Sequence, residues 1–245
     1  MATDQSEDWG QGPRDTAPSA PLGSSVAQIH EVLRSRIVTF DLPPGARLSR
    51  SDLAERFGVS ASPLREAIQL LELEGLVATF RQSRTVVTHI DPGLLRQEQF
   101  LRAGIECEVV NALAAMPDKQ GLRKASAILR MQKVLIEEPD QIDLFRKLDD
   151  DFHAELFHAA GRSALHDLLR QMTSQMARLR MLDLPSEGKL ASIVALHEEI
   201  LAAILAGDRH AAADAMRRHL SGTIARLPAI MAQYPDYFLR DPQAR

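Results

Sequence analysis

The sequence predicts a mainly α-helical protein, with a small β-hairpin near its N-terminal end and an all-α helical bundle behind it. Two patterns carry this prediction. Apolar residues recur three or four positions apart through most of residues 25–232, which is the period of one helix face. Residues 76–80 and 85–88 are instead short runs rich in Val and Thr, separated by four polar residues, as in a hairpin.

The bulk properties narrow the class of protein. A chain of 245 residues with 45% hydrophobic residues can build one or two domains. Its single cysteine, Cys107, excludes an intrachain disulfide and favours a reducing compartment. Residues 1–24 lack the pattern of a signal peptide, and no apolar run approaches the roughly 20 residues of a membrane span. We therefore expect a cytoplasmic protein that does not enter the membrane.

The N-terminal part divides into a tail and a compact unit. Residues 1–24 are polar and aperiodic, which predicts a disordered tail. Residues 25–90 form the first domain, and its first helix carries an apolar stripe that ends at a Pro-Pro-Gly turn: Val26, Ile29, Leu33, Ile37 and Phe40. A second helix begins near Ser49, which forms a capping-box pattern with Asp52, and it stops at Gly58.

The third helix completes the unit. It starts between Ser60 and Ser62 and ends at Gly75, and its buried face repeats at the helical period. The order is then helix, helix, tight turn, helix and hairpin, which is a winged helix-turn-helix. In that geometry the second helix of the pair lies in the DNA major groove and an Arg-rich hairpin tip suits the backbone or minor groove. The candidate DNA contacts are Arg50, Ser60, Ser62, Arg65, Gln69, Arg81 and Arg84.

The charge distribution bears on this hypothesis. The net charge of −4 argues weakly against nucleic-acid binding, but residues 25–90 carry eight Arg against seven acidic residues. Every basic residue of that segment is Arg, the side chain best suited to forked contacts with phosphate and guanine.

The second domain, residues 91–235, is helical almost throughout. Asp91-Pro92 starts its first helix, with Asp as the cap and Pro at the first position. Breaks near Pro117, Pro139, Gly161, Pro185 and Gly207 predict about six helices of roughly 20 residues in a bundle. Residues 236–245 form a tail.

Four side chains of the bundle have spacings that suit a metal. Asp149 and His153 are four residues apart on one helix face. His197 and His219 lie about 11 residues on either side of the Gly207-Asp208 turn, so an antiparallel hairpin brings them to one level, roughly 16 Å along. One carboxylate and three imidazoles suit Zn, Ni, Mn or Fe. From spacing alone, ordinary surface or core histidines remain the simpler explanation.

The N-terminal unit resembles the GntR family of bacterial transcription regulators. The resemblance rests on Pro44-Gly45, residues 52–60, Pro63 to Ala67 and residues 71–77, which cover about 65 residues in the family's order. It implies a homodimer on a double-stranded DNA operator with an inverted repeat. Two positions depart from the family pattern: Ala61 stands where Arg is usual, and Arg84 where the wing tip usually has Gly. We therefore expect an operator that differs from the family's commonest one, with Arg81 and Arg84 compensating.

The helical part is similar to the FCD-type sensing domain of the FadR subgroup, through residues 148–157, Ala160-Gly161 and residues 197–220. Many such domains hold a divalent metal through one Asp and three His, which match Asp149, His153, His197 and His219, and bind a small organic acid beside it. The resemblance places Arg102 on the acid, whereas its spacing to Glu106 equally suits a surface ion pair. It implies a ligand-responsive regulator, a repressor that the acid releases.

Other functions remain open at this stage. The metal could be structural or could itself be the signal, or the site could serve a metal-dependent enzyme. We expect no enzyme, because no general base has a suggestive spacing and Asp150 and Asp151 point off the site's face.

Overall fold

The computed structural model describes residues 24–80 and 84–239. The tail predicted over residues 1–24 therefore lies outside the described residues except for Ser24. Residues 240–245 of the predicted C-terminal tail and Arg81 of the hairpin also lie outside them.

The N-terminal unit contains a helix-turn-helix and a three-stranded antiparallel sheet in the order β1-β3-β2, which pairs Arg47 with Val86 and Val77 with Val87. Its elements are α1 (Val26–Val38), β1 (Arg47–Leu48), α2 (Arg50–Phe57), α3 (Ala61–Leu73), β2 (Val77–Phe80) and β3 (Arg84–Val87). Strands β2 and β3 form the predicted wing. The two-residue strand β1 was not predicted, because two residues are too short to show a period.

Local signals set the ends of these helices. The Ser49 side chain accepts a hydrogen bond from the Asp52 backbone N–H at 3.4 Å, so half of the predicted capping box is present. The Asp52 carboxylate instead accepts from Ser51, 3.0 Å away. Gly58 ends α2 at φ +63°, a left-handed conformation that glycine adopts without steric cost. The apolar stripe of α1 packs on α3 in a core of its own, which includes Ile29, Leu33 and Leu71.

The second region is a helical bundle whose helices are shorter and more numerous than predicted. They are α4 (Pro92–Ala115), α5 (Arg123–Leu135), α6 (Ile142–Ala159), α7 (Ser163–Met172), α8 (Ser174–Asp183), α9 (Lys189–Ala206), α10 (Arg209–Ala225) and α11 (Leu227–Gln233), with 3-10 turns at Gln120–Leu122, Pro139–Gln141 and Pro235–Tyr237. All the predicted breaks occur. The prediction of about six helices was wrong because the chain also breaks at Thr173, where no glycine or proline marks the end, and at Arg226, where Pro228 stands in the first turn of α11.

The core of the bundle forms where α4, α9 and α10 meet. Side chains such as Val110, Ile204 and Ala212 are fully buried there. Gly207, at φ +74°, ends α9 and turns the chain directly into α10, whose N-terminus is capped by Asp208. None of the helices over residues 24–80 and 84–239 is both long and apolar enough to cross a membrane.

The two regions meet along a polar seam between the end of α3 and the start of α8. The Glu74 carboxylate accepts hydrogen bonds from Arg34 Nε at 2.8 Å and from Ser174 Oγ at 2.9 Å, and it lies 2.5 Å from His30 Nε2. The Gln175 side chain donates to the Gly75 carbonyl at 3.1 Å. The C-terminal end of α3 is therefore tied to the helical bundle.

The connection between the regions is clamped by α8 and by the chain's C-terminal segment. Arg178 is fully buried and donates to the Thr88 carbonyl at 2.7 Å. Burial lowers the pKa of Arg178 to about 10. Ile90 pairs with Phe238 in a short parallel bridge, and the ring of Tyr237 lies 4.8 Å from that of Phe40. The aromatic residues near the C-terminus thus hold residues 88–90 in place.

Candidate functional site

The N-terminal end of α3 is open to solvent and carries the predicted reading residues. Ser60, Ser62, Arg65 and Gln69 are all exposed. Ser60 is the N-cap, yet its side chain makes no capping hydrogen bond, which leaves N–H groups of the first turn available to a phosphate. Within the described residues the Ser62 side chain donates to Glu66 at 3.3 Å, whereas the side chains of Arg65 and Gln69 make no hydrogen bond. These two side chains are free to contact a partner.

The other predicted contacts are placed differently. Arg50 is half-buried and donates to Thr79 at 3.2 Å and to Thr85 at 3.2 and 3.3 Å, so it braces the wing against α2. Arg84 is exposed at the start of β3, with its guanidinium 5.1 Å from the centre of the Phe80 ring. Arg81 falls among the residues that the structure does not describe.

Sequence reasoning missed one basic residue on this face. Arg47 is exposed on β1, the edge strand that pairs with β3 of the wing. It lies in the sheet from which the wing extends, so it adds a positive charge beside Arg84. Its position depends on the strand pairing, for which the sequence offers no local signal.

The second candidate site lies inside the bundle, where the structure brings Asp149, His153, His197 and His219 together. One ligand atom from each of the four lies within 4.8 Å of the others. His219 Nε2 is 3.1 Å from His153 Nε2 and 3.4 Å from His197 Nε2, and His197 Nε2 is 3.5 Å from Asp149 Oδ1.

Three helices position these side chains. Asp149 and His153 come from consecutive turns of α6, His197 from α9 and His219 from α10. The tight turn at Gly207 sets His197 and His219 at one level across the α9–α10 hairpin. The Phe152 ring stacks on His197, with centroids 3.9 Å apart, and His197 is fully buried. The four groups therefore face one another away from bulk water.

A second layer of polar residues orients the imidazoles. His153 Nδ1 lies 2.5 Å from the Glu106 carboxylate, which in turn accepts from Arg102 Nε at 2.8 Å. His197 Nδ1 lies 2.9 Å from Gln132 Oε1. Because carboxylate and amide oxygens accept protons, both contacts favour the tautomer with the proton on Nδ1, which leaves a lone pair on Nε2. This is the arrangement by which proteins orient histidines that bind metals.

Burial keeps two of the imidazoles, those of His197 and His219, in the neutral form. Burial lowers the pKa of His197 to about 3, with His153 adding to the effect and Asp149 opposing it. Burial likewise holds the pKa of His219 well below its usual value, and the neighbouring His197 adds to this. Burial would raise the pKa of Asp149, but Arg180 and His197 outweigh it, so the pKa of this carboxyl lies below its ordinary range. The cluster thus offers a carboxylate at Asp149 and neutral imidazoles at His197 and His219, the forms that bind cations.

The donor set fits a divalent cation. Asp149 Oδ1 is buried and has no hydrogen-bond partner within the described residues, while Asp149 Oδ2 accepts from Arg180. His153 Nε2 and His197 Nε2 both lie within hydrogen-bond distance of His219 Nε2, which carries at most one proton for the two of them, and a buried polar atom without a partner costs roughly 1–3 kcal/mol. A cation among these atoms would satisfy all of them at once.

A cavity of about 360 Å³ opens beside the cluster, and that size lies in the usual range of ligand pockets. His153, Glu106, Arg102 and Arg180 line one part of it. Arg102 is buried in its pair with Glu106, so the interpretation of Arg102 as part of a surface ion pair was wrong. Asp150 also lines the cavity, where it pairs with Arg180 at 3.2 Å.

Two supporting residues, Gln132 and Arg180, are not among the site residues predicted above. Gln132 occupies a buried position on α5 between Leu129 and Leu135, so a polar residue in an apolar stripe was the available signal. Arg180 joins α8 to Asp149, a contact that only the tertiary structure creates.

Comparison with known proteins matches both regions of the chain. Residues 25–87 match the family of bacterial regulatory proteins named gntR, and residues 99–222 match the FCD domain. The chain is 33% identical over 215 residues to an uncharacterized HTH-type transcriptional regulator in an unstable DNA locus of Streptomyces ambofaciens, covering 87% of this chain and 89% of that protein.

Two further comparisons agree. The HTH-type transcriptional repressor RspR of Escherichia coli K12 is 29% identical over 221 residues, covering 90% of this chain and 95% of that protein. The solved structure of E. coli McbR/YncC superposes with a TM-score of 0.71 at 20% identity, covering 86% of this chain and 99% of that one, which shows a shared fold. The families and relatives matched are transcriptional regulators, not enzymes.

Proposed function

The chain belongs to the gntR family of bacterial regulatory proteins, and we propose that it is a repressor released from DNA by a small organic acid bound beside a divalent metal. Its role as a DNA-binding transcription regulator follows from the family. The proposal concerns the effector: which side chains bind it, and how its binding changes the affinity for DNA.

The observation that carries the proposal is the set of four converging ligand atoms beside an open cavity. Asp149, His153, His197 and His219 would hold the metal. A bound divalent ion supplies a Lewis-acidic centre with positions open to a carboxylate. Arg102 and Arg180 stand at the same side of the cavity and would add charge-assisted hydrogen bonds to that carboxylate.

On the DNA side, a homodimer would place two α3 helices on the two halves of an inverted repeat. Arg65, Gln69, Ser60 and Ser62 would contact base edges and phosphates, and Arg84 with Arg47 would contact the backbone near the wing. Because Ala61 replaces the usual Arg, the preferred operator is expected to differ from the family's commonest one.

The test is a thermal-shift screen of the full chain. Metal-stripped protein and protein reloaded with Zn²⁺, Ni²⁺, Mn²⁺ or Fe²⁺ are each screened against sugar acids and hydroxy acids. An acid at a hundredfold over its dissociation constant raises the stability by about 2.7 kcal/mol. We expect this shift with metal present, and we expect His197→Ala to remove it.

Two other results would change the account. Stabilisation by metal with no response to any acid would assign the metal a structural role or make it the signal. No response to any of the metals would remove Asp149, His153, His197 and His219 as a metal site, while the DNA-binding role would stand.

A further inference from the structure

The cavity beside the cluster is not confined to the helical bundle. Glu31, Arg34 and Val38 of α1, in the DNA-binding unit, form one wall of it. The opposite part is lined by His153, Arg102 and Arg180 beside the metal ligands. A ligand that fills the cavity would therefore touch both regions of the molecule.

The α1 wall presents a guanidinium in a fixed position. Arg34 is buried, and its hydrogen bonds hold Nε on Glu74 at 2.8 Å and Nη2 on the Arg170 carbonyl at 3.1 Å. Its remaining nitrogen, Nη1, has no hydrogen-bond partner within the described residues. Arg170 also lines the cavity, and its own guanidinium pairs with Glu31 at the exposed rim, 2.5 Å away.

The charge of the lining favours an anion with more than one acidic group. Six basic side chains line the cavity against four carboxylates, before any metal is counted. Arg102 and Arg180 stand near the metal ligands, while Arg34 and Arg170 stand at α1. In addition, Arg146 Nε is buried in the α6 wall without a hydrogen-bond partner in the described chain, and the single contact of Arg146 with Asp150 is long, at 3.4 Å.

We propose that the effector is an acid with anionic groups at both ends, one at the metal cluster and the other on Arg34 of the DNA-binding unit. This inference rests on the proposed function, because the first carboxylate takes the metal-anchored place described above. The added claim is that the site is shared between the two regions.

Such a ligand would act directly on α3, the helix proposed to contact DNA bases. Arg34 donates to Glu74, and Glu74 is the C-cap of α3. A second carboxylate on the free Nη1 of Arg34 would share the positive charge of this guanidinium with Glu74 and so weaken the seam that ties α3 to Ser174 of α8. The ligand would thus bind one arrangement of the two regions better than the other, which is the condition for shifting their equilibrium.

The experiment compares acids of equal length on metal-loaded full-length protein by titration calorimetry. Straight-chain dicarboxylates from succinate to suberate are each paired with the monocarboxylate of the same carbon number. The best dicarboxylate should bind at least about tenfold more tightly than its monocarboxylate, as an added charge-assisted hydrogen bond predicts. Arg34→Gln should remove this preference and keep the affinity for the monocarboxylate.

A second variant keeps the test decisive if Arg34→Gln fails to fold. Glu31 is exposed at the rim, so Glu31→Gln should fold normally, and removing its charge should tighten dicarboxylate binding without changing monocarboxylate binding. Equal affinities within each pair, or a dicarboxylate preference unchanged in both variants, would overturn the shared site and leave the metal-anchored acid site standing. Failure of every acid in this panel to bind would overturn the shared site, whereas the proposed function would fall only if sugar acids and hydroxy acids also gave no thermal shift.

Discussion

The DNA-reading face and the His–Asp cluster place their polar side chains in opposite environments. Arg65 and Gln69 on α3 are exposed and make no hydrogen bonds within the described residues. Asp149 and His197 are buried, and each touches several charged or polar neighbours. The first surface is open to a partner that replaces water, and the second suits the small ligand proposed above. The contrast implies that substitutions in the first affect binding alone, while substitutions in the second also affect stability.

The largest effect expected from this contrast is that of Asp149→Asn. This substitution leaves the Arg180 guanidinium without its closest partner. Because breaking such a pair is strongly destabilising, we expect the free energy of unfolding to fall by about 3 kcal/mol. Urea unfolding of the metal-stripped protein measures this change in the free energy of unfolding. Asp151→Asn, two residues away and without an ion pair in the described chain, is the control. Equal stability of the two variants would show that the buried pair contributes nothing.

The next effect concerns the support of one imidazole. Gln132→Leu removes the oxygen that orients His197 but keeps a similar volume, so metal affinity should fall about 10- to 100-fold while the fold persists. Competition against a chelating dye measures the affinity. Gln120→Leu, at an exposed site, should change nothing. Unaltered metal affinity in Gln132→Leu would mean that His197 does not depend on this contact, or does not bind the metal.

On the reading face, Arg65→Ala should separate binding from stability. Loss of a base or phosphate contact costs about 1–3 kcal/mol of operator affinity, whereas the free energy of unfolding should stay within about 0.5 kcal/mol of the parent. The operator is first selected from random duplexes, and fluorescence anisotropy then gives the affinity. Arg123→Ala, an exposed Arg at the start of α5, is the matched control. A loss of stability in Arg65→Ala would contradict the contrast between the two regions.

The smallest effect is expected at the wing. Arg84→Gln removes one phosphate contact, so the dependence of log affinity on log salt should become shallower by about one, equally for specific and unrelated DNA. Titrations at several salt concentrations provide the slope. An unchanged slope would place Arg84 away from the backbone, and a loss limited to the selected operator would instead make it a base reader.

Much of this architecture could be predicted because its signals are local. Caps and glycines fixed the ends of α2 and α3, and the apolar period marked the buried face of α1. The convergence of His197 with His219 followed from their equal distances to the Gly207 turn, a simple consequence of helix rise. Features that depend on tertiary contacts have no such local signal in the sequence.

Three features show where local signals end. Strand β1 is two residues long and exists only because β3 lies beside it. The break at Thr173 carries no glycine or proline, and it is where Ser174 and Gln175 meet the end of α3. Arg180 and Gln132 support the cluster from α8 and α5, and no local pattern indicates that these helices pack beside it. The seam between the two regions, which carries the proposed signal, was therefore invisible to sequence reasoning.

The central claim is that an acid bound at the metal site lowers the affinity of the protein for its operator. The direct measurement is operator affinity of metal-loaded protein, with and without the acid that gives the largest thermal shift, in the parent and in His197→Ala. Coupling of about 1–3 kcal/mol predicts that the acid weakens operator binding by roughly 5- to 150-fold in the parent and leaves the variant unchanged. Tighter operator binding with acid, or an equal effect on both proteins, would contradict the account.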